Sequence, residues 1–254
     1  MPGPAVQTPA VVVGSVRYGE TSRIVRLATR DQGLVAAIAK GAGRPRSPFA
    51  GLQVLAAGTA HLIAGRGDLA TLTQFELAVA HLGVTSSLTG FRAASTMAEL
   101  AARAFPSTPQ EEAYDALVWG LGLLDASPPA AIEIVALSAI WRLVAALGAT
   151  PSLDFCARDG KPVPPGGAHF SIEDGGVLCR VCASGGGAAR LEHDDVTALA
   201  FFLQGGGEPP DLDARHAAAH RRLVGRWITR HVVDGTQPAL LQWVQGDDTV
   251  GGQR

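Results

Sequence analysis

No aspartate or glutamate occurs between Asp31 and Asp68 of this 254-residue chain, so the cations in that interval have no local carboxylate to neutralise them. Other absences narrow the field. Three cysteines, an odd number, fit a reducing compartment and not a disulfide framework. The longest apolar run, 134–147, carries Arg142 and is shorter than the roughly 20 residues a bilayer span needs, so no transmembrane helix and no membrane partner are expected. The first residues, MPGPAVQTP, have neither a positive region nor an apolar core, and the chain reads as cytoplasmic. G-x-S-x-G, H-E-x-x-H and G-x-x-x-x-G-K-[ST] are all missing, which removes the usual hydrolase and nucleotide-binding routes. There is no internal repeat.

An apolar fraction of 47% is enough to build a core for one large domain or two modest ones. The net charge of −2 argues by itself against a nucleic-acid binder, but its distribution does not. Residues 1–80 hold eight Lys/Arg against four Asp/Glu, a net of +4, whereas residues 81–254 hold thirteen against nineteen, a net of −6. The positive part centres on residues 33–51, where an apolar run passes through Lys40 into glycines, prolines and arginines. This is a strand feeding a cationic loop, with Lys40, Arg44 and Arg46 exposed as a flexible segment suited to a phosphate backbone.

Short β-branched or alternating runs predict strands at 10–16, 22–29, 34–40, 52–64 and 69–76. Glycine turns join them, with Tyr18-Gly19-Glu20 and Gly65-Arg66-Gly67-Asp68 among them. No helix-length segment separates the strands, so a parallel α/β sheet is disfavoured and a small five-stranded barrel is expected. An oligonucleotide-binding barrel and an SH3-like barrel both read this way. After His81 the pattern turns helical. Helices are expected at 89–105, 109–126, 128–147, 191–204 and 213–233, with Phe91, Ala94, Ala98, Ala101, Ala102 and Phe105 on the buried face of the first. Glu111 and Glu112 favour the start of the second, and Gly148 caps the third, the most apolar. The tail from Gly246 reads as frayed.

Between the third and fourth helices lie Cys156, Asp159, His169 and a Cys179-x-x-Cys182 pair. A zinc ribbon with two C-x-x-C knuckles needs a cysteine where Asp159 stands. Zinc accepts carboxylate oxygen, so Cys156, Cys179 and Cys182 with Asp159 or His169 make one reading, a closed structural site. The other is a ribbon without metal, its thiols packed as small apolar side chains. Further cationic candidates are Arg17, Arg23 and Arg66 beside the strands, and Phe49 in the basic loop is the ring best placed to stack on a base. Arg221, Arg222, Arg226 and Arg230 read as a solvated helix face paired with acids, and Trp119, Trp141, Trp227 and Trp243 as core.

Several stretches together resemble the RecO family of recombination mediators: YGETSRIV at 18–25, GLVAAIAKGA at 33–42, RPRSPF at 44–49, GRGDL at 65–69, FS at 170–171 and GGVLCRVC at 175–182. The resemblance implies an α+β protein. Its N-terminal five-stranded OB-fold barrel would span 1–80, and an all-α domain would span 81–254 with a zinc-finger-like insertion at about 153–186. It implies a non-enzyme of the bacterial cytoplasm, nucleoid-associated when acting. Such a protein binds single- and double-stranded DNA, anneals complementary strands covered by single-stranded DNA-binding protein, and with RecR helps load RecA. The family's basic barrel face maps to Lys40, Arg44 and Arg46, then Arg17, Arg23 and Arg66. Asp159 departs from an expected knuckle cysteine, and Gly43 and Pro48 stand where relatives often carry cations. An adaptor with an idle barrel and a zinc or thiol enzyme are the rival readings.

Overall fold

A computed structural model describes residues 5–49, 51–65, 67–164, 168–206, 208–235 and 237–245. Five strands close into a barrel: β1 (Ala5–Tyr18), β2 (Ser22–Thr29), β3 (Gly33–Ala39), β4 (Ala57–Ile63) and β5 (Leu69–Val79), in the order β1-β2-β3-β5-β4. Only the β3–β5 pair is parallel; the others are antiparallel. Closure requires β1 to serve two neighbours. Its first half pairs with β4 and its second with β2, and a register shift between Val12 and Gly14 marks the bend between them. Alternation then sends Ala10, Val12, Val25, Leu27, Ala37, Ala39, Leu62 and Leu72 into the barrel, where the small alanines fit its narrow interior.

The structure redraws two expected boundaries. β1 begins at Ala5, ahead of the apolar run that announced it. The run 52–56 is not strand but a set of turns, with Leu55 at φ 76° and its N–H donated to the Val12 carbonyl at 2.8 Å. Leu52, Leu55 and Ala56 are buried nonetheless. Leu52 and Ala56 pack into the barrel core from outside the ladder and Leu55 packs toward the helices, which is why an apolar run here imitates a strand.

Helices follow: α1 (Leu88–Ala104), α2 (Glu111–Ala126) and α3 (Ile132–Ala146), the last preceded by a 3-10 turn at Pro129–Ala131. Pro129–Ala146 is long and apolar enough to span a bilayer by length and composition alone, but it is half buried inside this fold as the helical core's central element. Gly148, at φ 83°, ends it by donating to the Ala145 carbonyl while Ala149 donates to Val144, the paired bonds of a Schellman cap. On α1 the buried stripe is Ala93, Ala94, Met97, Leu100 and Ala101; Phe91, expected on that stripe, is 46% exposed.

The chain then enters a three-stranded sheet ordered β7-β6-β8, made of β6 (Ala168–Ser171), β7 (Gly176–Leu178) and β8 (Ala189–Leu191), with the single-turn α4 (Arg180–Ala183) between β7 and β8. It finishes with α5 (His193–Gln204), α6 (Ala214–His231) and α7 (Pro238–Gln245). Neither this sheet nor α7 was expected from the sequence: three- and four-residue strands are too short to show a period, and α7 is a single eight-residue amphipathic element. Trp141, Trp227 and Trp243 are buried as expected, with Phe170 of β6 against Trp227 at 5.6 Å between ring centroids. Trp119 is not; it is 38% exposed, with the Arg142 guanidinium 4.2 Å from its ring.

Barrel and helices meet through a shared core. Val11, Val13, Ala28, Leu55 and Ala57 pack with the α1 residues and not with the barrel interior. At the β2–β3 turn, Leu34 donates to the Pro106 carbonyl at 2.8 Å. Gly33 lies so close that an added Cβ would meet the carbonyl oxygens of Pro106 and Thr108 at 2.2 Å. Arg30 fastens the same turn to α2 through Glu111 at 2.9 Å and Asp115 at 3.3 Å.

Candidate nucleic-acid interface and metal centre

Five cations of the barrel, Arg17, Arg23, Lys40, Arg44 and Arg46, lie at one end, whereas Arg26 lies mid-strand opposite Gly14 and Arg30 lies at the other end against α2. Arg17 and Arg23 are directly opposite each other in the β1–β2 ladder, and Arg23 is opposite Ala39, the residue before Lys40. Two like charges directly opposite on a ladder are destabilising. Lys40, Arg44 and Arg46 follow in the β3–β4 connection, all exposed. That connection is less free than its glycines and prolines suggest. Arg44 donates to the Gly41 carbonyl at 3.0 Å and Ser47 to that of Arg44 at 3.2 Å, so it is folded as successive turns. Gly43 donates to the Thr21 carbonyl at 2.8 Å, tying the loop to the β1–β2 turn. Arg46 sits at φ 62°, a left-handed conformation that costs a non-glycine residue about 1 kcal/mol. Among the described residues none of Arg17, Arg23, Lys40, Arg44 and Arg46 is in an ion pair. Arg66 lies outside the described residues.

Phe49 corrects one expectation. Phe49 is 6% exposed and belongs to the barrel core, so its ring is packed inward and is not an exposed stacking platform. The proline on its N-terminal side and Gly51 beyond it made the segment read as surface; tertiary packing drew the ring inward. Beside it opens a cavity of about 220 Å³ lined by Arg23, Ala42, Phe49, Gly51, Leu52 and Gln53. Tyr18, 56% exposed at the end of β1, is the ring left outside at this end.

The second constellation is on the cysteine segment. Cys156, Asp159, Cys179 and Cys182 offer ligand atoms that all lie within 4.8 Å of one another; this is a cluster that could hold a metal ion, and His169, a β6 residue opposite Leu178 of β7, is not in it. Two knuckles build it. The first is a tight turn in which Gly160, at φ 71°, donates to the Cys156 carbonyl at 2.8 Å and Cys156 to that of Lys161 at 2.8 Å. In the second, Cys179 caps α4 and its sulfur accepts the Cys182 N–H at 3.4 Å. Burial opposes ionisation of Cys156, but backbone N–H groups of Cys179, Asp159 and Arg158 outweigh it and hold that thiol below its ordinary value. Burial, then the neighbouring thiols Cys179 and Cys156, push Cys182 up to about 12. Hydrogen bonding from the Cys156 thiol and then from the Lys161 N–H keeps the Asp159 carboxyl well below the usual carboxylate range. Three sulfurs and a carboxylate oxygen converging on one point fit a borderline-soft divalent ion held in four-coordination.

Sequence reasoning missed the residues that support this cluster. Arg158 makes a forked pair with Asp174, at 3.0 and 2.7 Å, and its third nitrogen donates to the Cys182 carbonyl at 2.8 Å. Ser171 donates its hydroxyl to the same Asp174 at 2.6 Å. Their separation in the chain, 16 residues from Arg158 to Asp174, follows no motif period.

Two family models match the chain, "Recombination protein O N terminal" over residues 1–80 and "Recombination protein O C terminal" over residues 86–237. Proteins named DNA repair protein RecO are similar along most of its length. That of Anaeromyxobacter dehalogenans strain 2CP-C is 37% identical over 253 residues, covering 92% of this chain and 98% of its own. That of Rubrobacter xylanophilus is 37% identical over 175 residues, covering 68% and 70%, and that of Gloeobacter violaceus is 28% identical over 235 residues, covering 91% and 90%. A closed five-stranded barrel of the OB type, the helical part behind it with its cysteine cluster, and matches spanning both parts place the chain in the RecO family of DNA repair proteins.

Proposed function

We propose that the chain is a recombination mediator of the RecF pathway: it binds single- and double-stranded DNA at the basic end of its barrel, anneals complementary strands, and acts with RecR to help load RecA onto DNA coated by single-stranded DNA-binding protein. The observation that carries this reading is the set of Arg17, Arg23, Lys40, Arg44 and Arg46 at one end of the barrel, with no carboxylate partner among the described residues. A facing Arg17–Arg23 pair and a left-handed Arg46 are both unfavourable in the free protein. Phosphate oxygens relieve the first and make use of the second. Two strands bound at this end would each lose condensed counterions and repel each other less, so that pairing accelerates with no bond made or broken.

We propose further that the cysteine cluster holds structural zinc, with Cys156, Cys179, Cys182 and Asp159 as ligands. Zinc would supply charge neutralisation to the crowded thiols and would fix the two knuckles; a closed four-ligand site leaves no position for substrate. The direct test is annealing of complementary oligonucleotides coated with single-stranded DNA-binding protein. The wild-type chain accelerates pairing, and the Lys40→Ala/Arg44→Ala/Arg46→Ala variant does not. Equal acceleration by both proteins would refute the assignment to the barrel, and no acceleration by the wild type would refute the activity.

A further inference from the structure

The four atoms of the cysteine cluster are unequal. Cys156 is buried, Cys179 and Cys182 are half-buried, and Asp159 is the exposed member. The three sulfurs are set by backbone turns. Asp159 lies in the first of these turns, and its carboxylate takes a hydrogen bond from the Cys156 thiol and, at Oδ1, one from the Lys161 backbone N–H at 3.2 Å; its Oδ2 lies 3.6 Å from the Cys179 sulfur and 3.4 Å from the Lys161 ammonium, the one holder on a side chain that can leave. Two cations therefore flank the cluster in different states. Arg158 is committed to Asp174 and to the Cys182 carbonyl, whereas the Lys161 side chain is 75% exposed and free to follow the carboxylate.

Resting on the zinc reading, we propose that Asp159 is the ligand through which the metal enters and leaves, with Lys161 holding its carboxylate whenever the metal lets go. A carboxylate oxygen is the hard member of a set otherwise made of soft thiolates, so its bond to zinc is the one that exchanges first. An ammonium and a divalent ion would compete for the same carboxylate. Lys161 thereby stabilises the opened centre, and this chain exchanges zinc faster than a four-thiolate site on the same two knuckles.

The experiment uses the full-length, zinc-loaded protein under reducing conditions and follows transfer of zinc to a chromogenic chelator. Asp159→Cys slows release on the order of 10-fold, Asp159→Asn speeds it, and Lys161→Met, a surface change that leaves all four ligands in place, slows it several-fold. In cobalt-substituted protein, Asp159→Cys also strengthens the sulfur-to-metal charge-transfer band by one thiolate. Release by Asp159→Cys and Lys161→Met at the wild-type rate overturns the inference while leaving bound zinc in place. Failure of both the wild type and Asp159→Cys to take up zinc overturns the metal reading and the inference with it.

Discussion

Arginines at the end of the barrel and arginines of the helical part differ in what they touch. Around the helices, Arg221 meets Glu133 at 2.6 Å, Arg230 meets Glu173 at 2.8 Å and Arg158 meets Asp174 at 2.7 Å. At the barrel end, Arg17, Arg23, Lys40, Arg44 and Arg46 meet no carboxylate among the described residues. Carboxylates of the helical part pair with Arg103, Arg158, Arg221 and Arg230 and, at the β2–β3 turn, with Arg30, but with none of the five cations at the other end of the barrel. The division is not complete: among the described residues Arg142, Arg180, Arg190, Arg215, Arg222 and Arg226 of the helical part also have no carboxylate partner, and Arg222 and Arg226 line a groove of about 520 Å³ between α6 and α7.

Breaking the barrel side should give the largest effect. Lys40→Ala/Arg44→Ala/Arg46→Ala should weaken single-stranded DNA binding by roughly 100-fold at low salt, because each lost phosphate contact forfeits its counterion release. Urea unfolding of the same variant should shift little, since these side chains support no packing. Breaking the helical side should do the reverse. Arg221→Ala leaves Glu133 unpaired in a partly buried setting and should cost about 2 kcal/mol of stability, with DNA affinity within twofold of wild type. A stability loss in the first variant or an affinity loss in the second would erase the distinction.

The comparison sharpens with pH. Burial holds His81 and His220 below the ordinary imidazole value, with Asp125 and Asp195 pulling the other way. The unfolded chain takes up these protons near about 6.5 and the folded chain does not. Their contribution to stability is complete above about 6.5 and is lost as pH falls from there toward the folded values. Urea midpoints between pH 7.5 and 5 should fall accordingly, and His220→Gln should flatten part of the slope; a flat wild-type profile would contradict the burial argument. The smallest effect expected is at Arg46, where glycine relieves a left-handed backbone. Arg46→Gly should gain about 0.5–1 kcal/mol of stability while losing DNA affinity, a trade that a merely decorative arginine would not show.

Much of this was legible before the structure. β2 falls at 22–29 as expected, because period-two alternation between a turn on each side leaves no other solution. The knuckle residues were legible from spacing alone, and Asp159 takes the place left by the missing cysteine. What failed to show were features decided by distant neighbours. Phe49 and the 52–56 run look like surface loop and strand, yet Phe49, Leu52 and Ala56 pack into the barrel core and Leu55 into the core shared with the helices. Trp119 reads as core and lies outside beneath Arg142. The Arg158–Asp174 fork has no sequence signal, since the partner's position is set by the β6–β7 turn and not by any period.

The most direct test of the central claim is fluorescence anisotropy of a labelled single-stranded oligonucleotide across a salt series, with wild type and the Lys40/Arg44/Arg46 triple-alanine variant measured side by side. Each single-strand phosphate contact contributes about 0.7 to the slope of log affinity against log salt, so the variant's slope should be shallower by about 2. Identical slopes and affinities in the two proteins would show that the unpaired cations of the barrel are not where the nucleic acid is held.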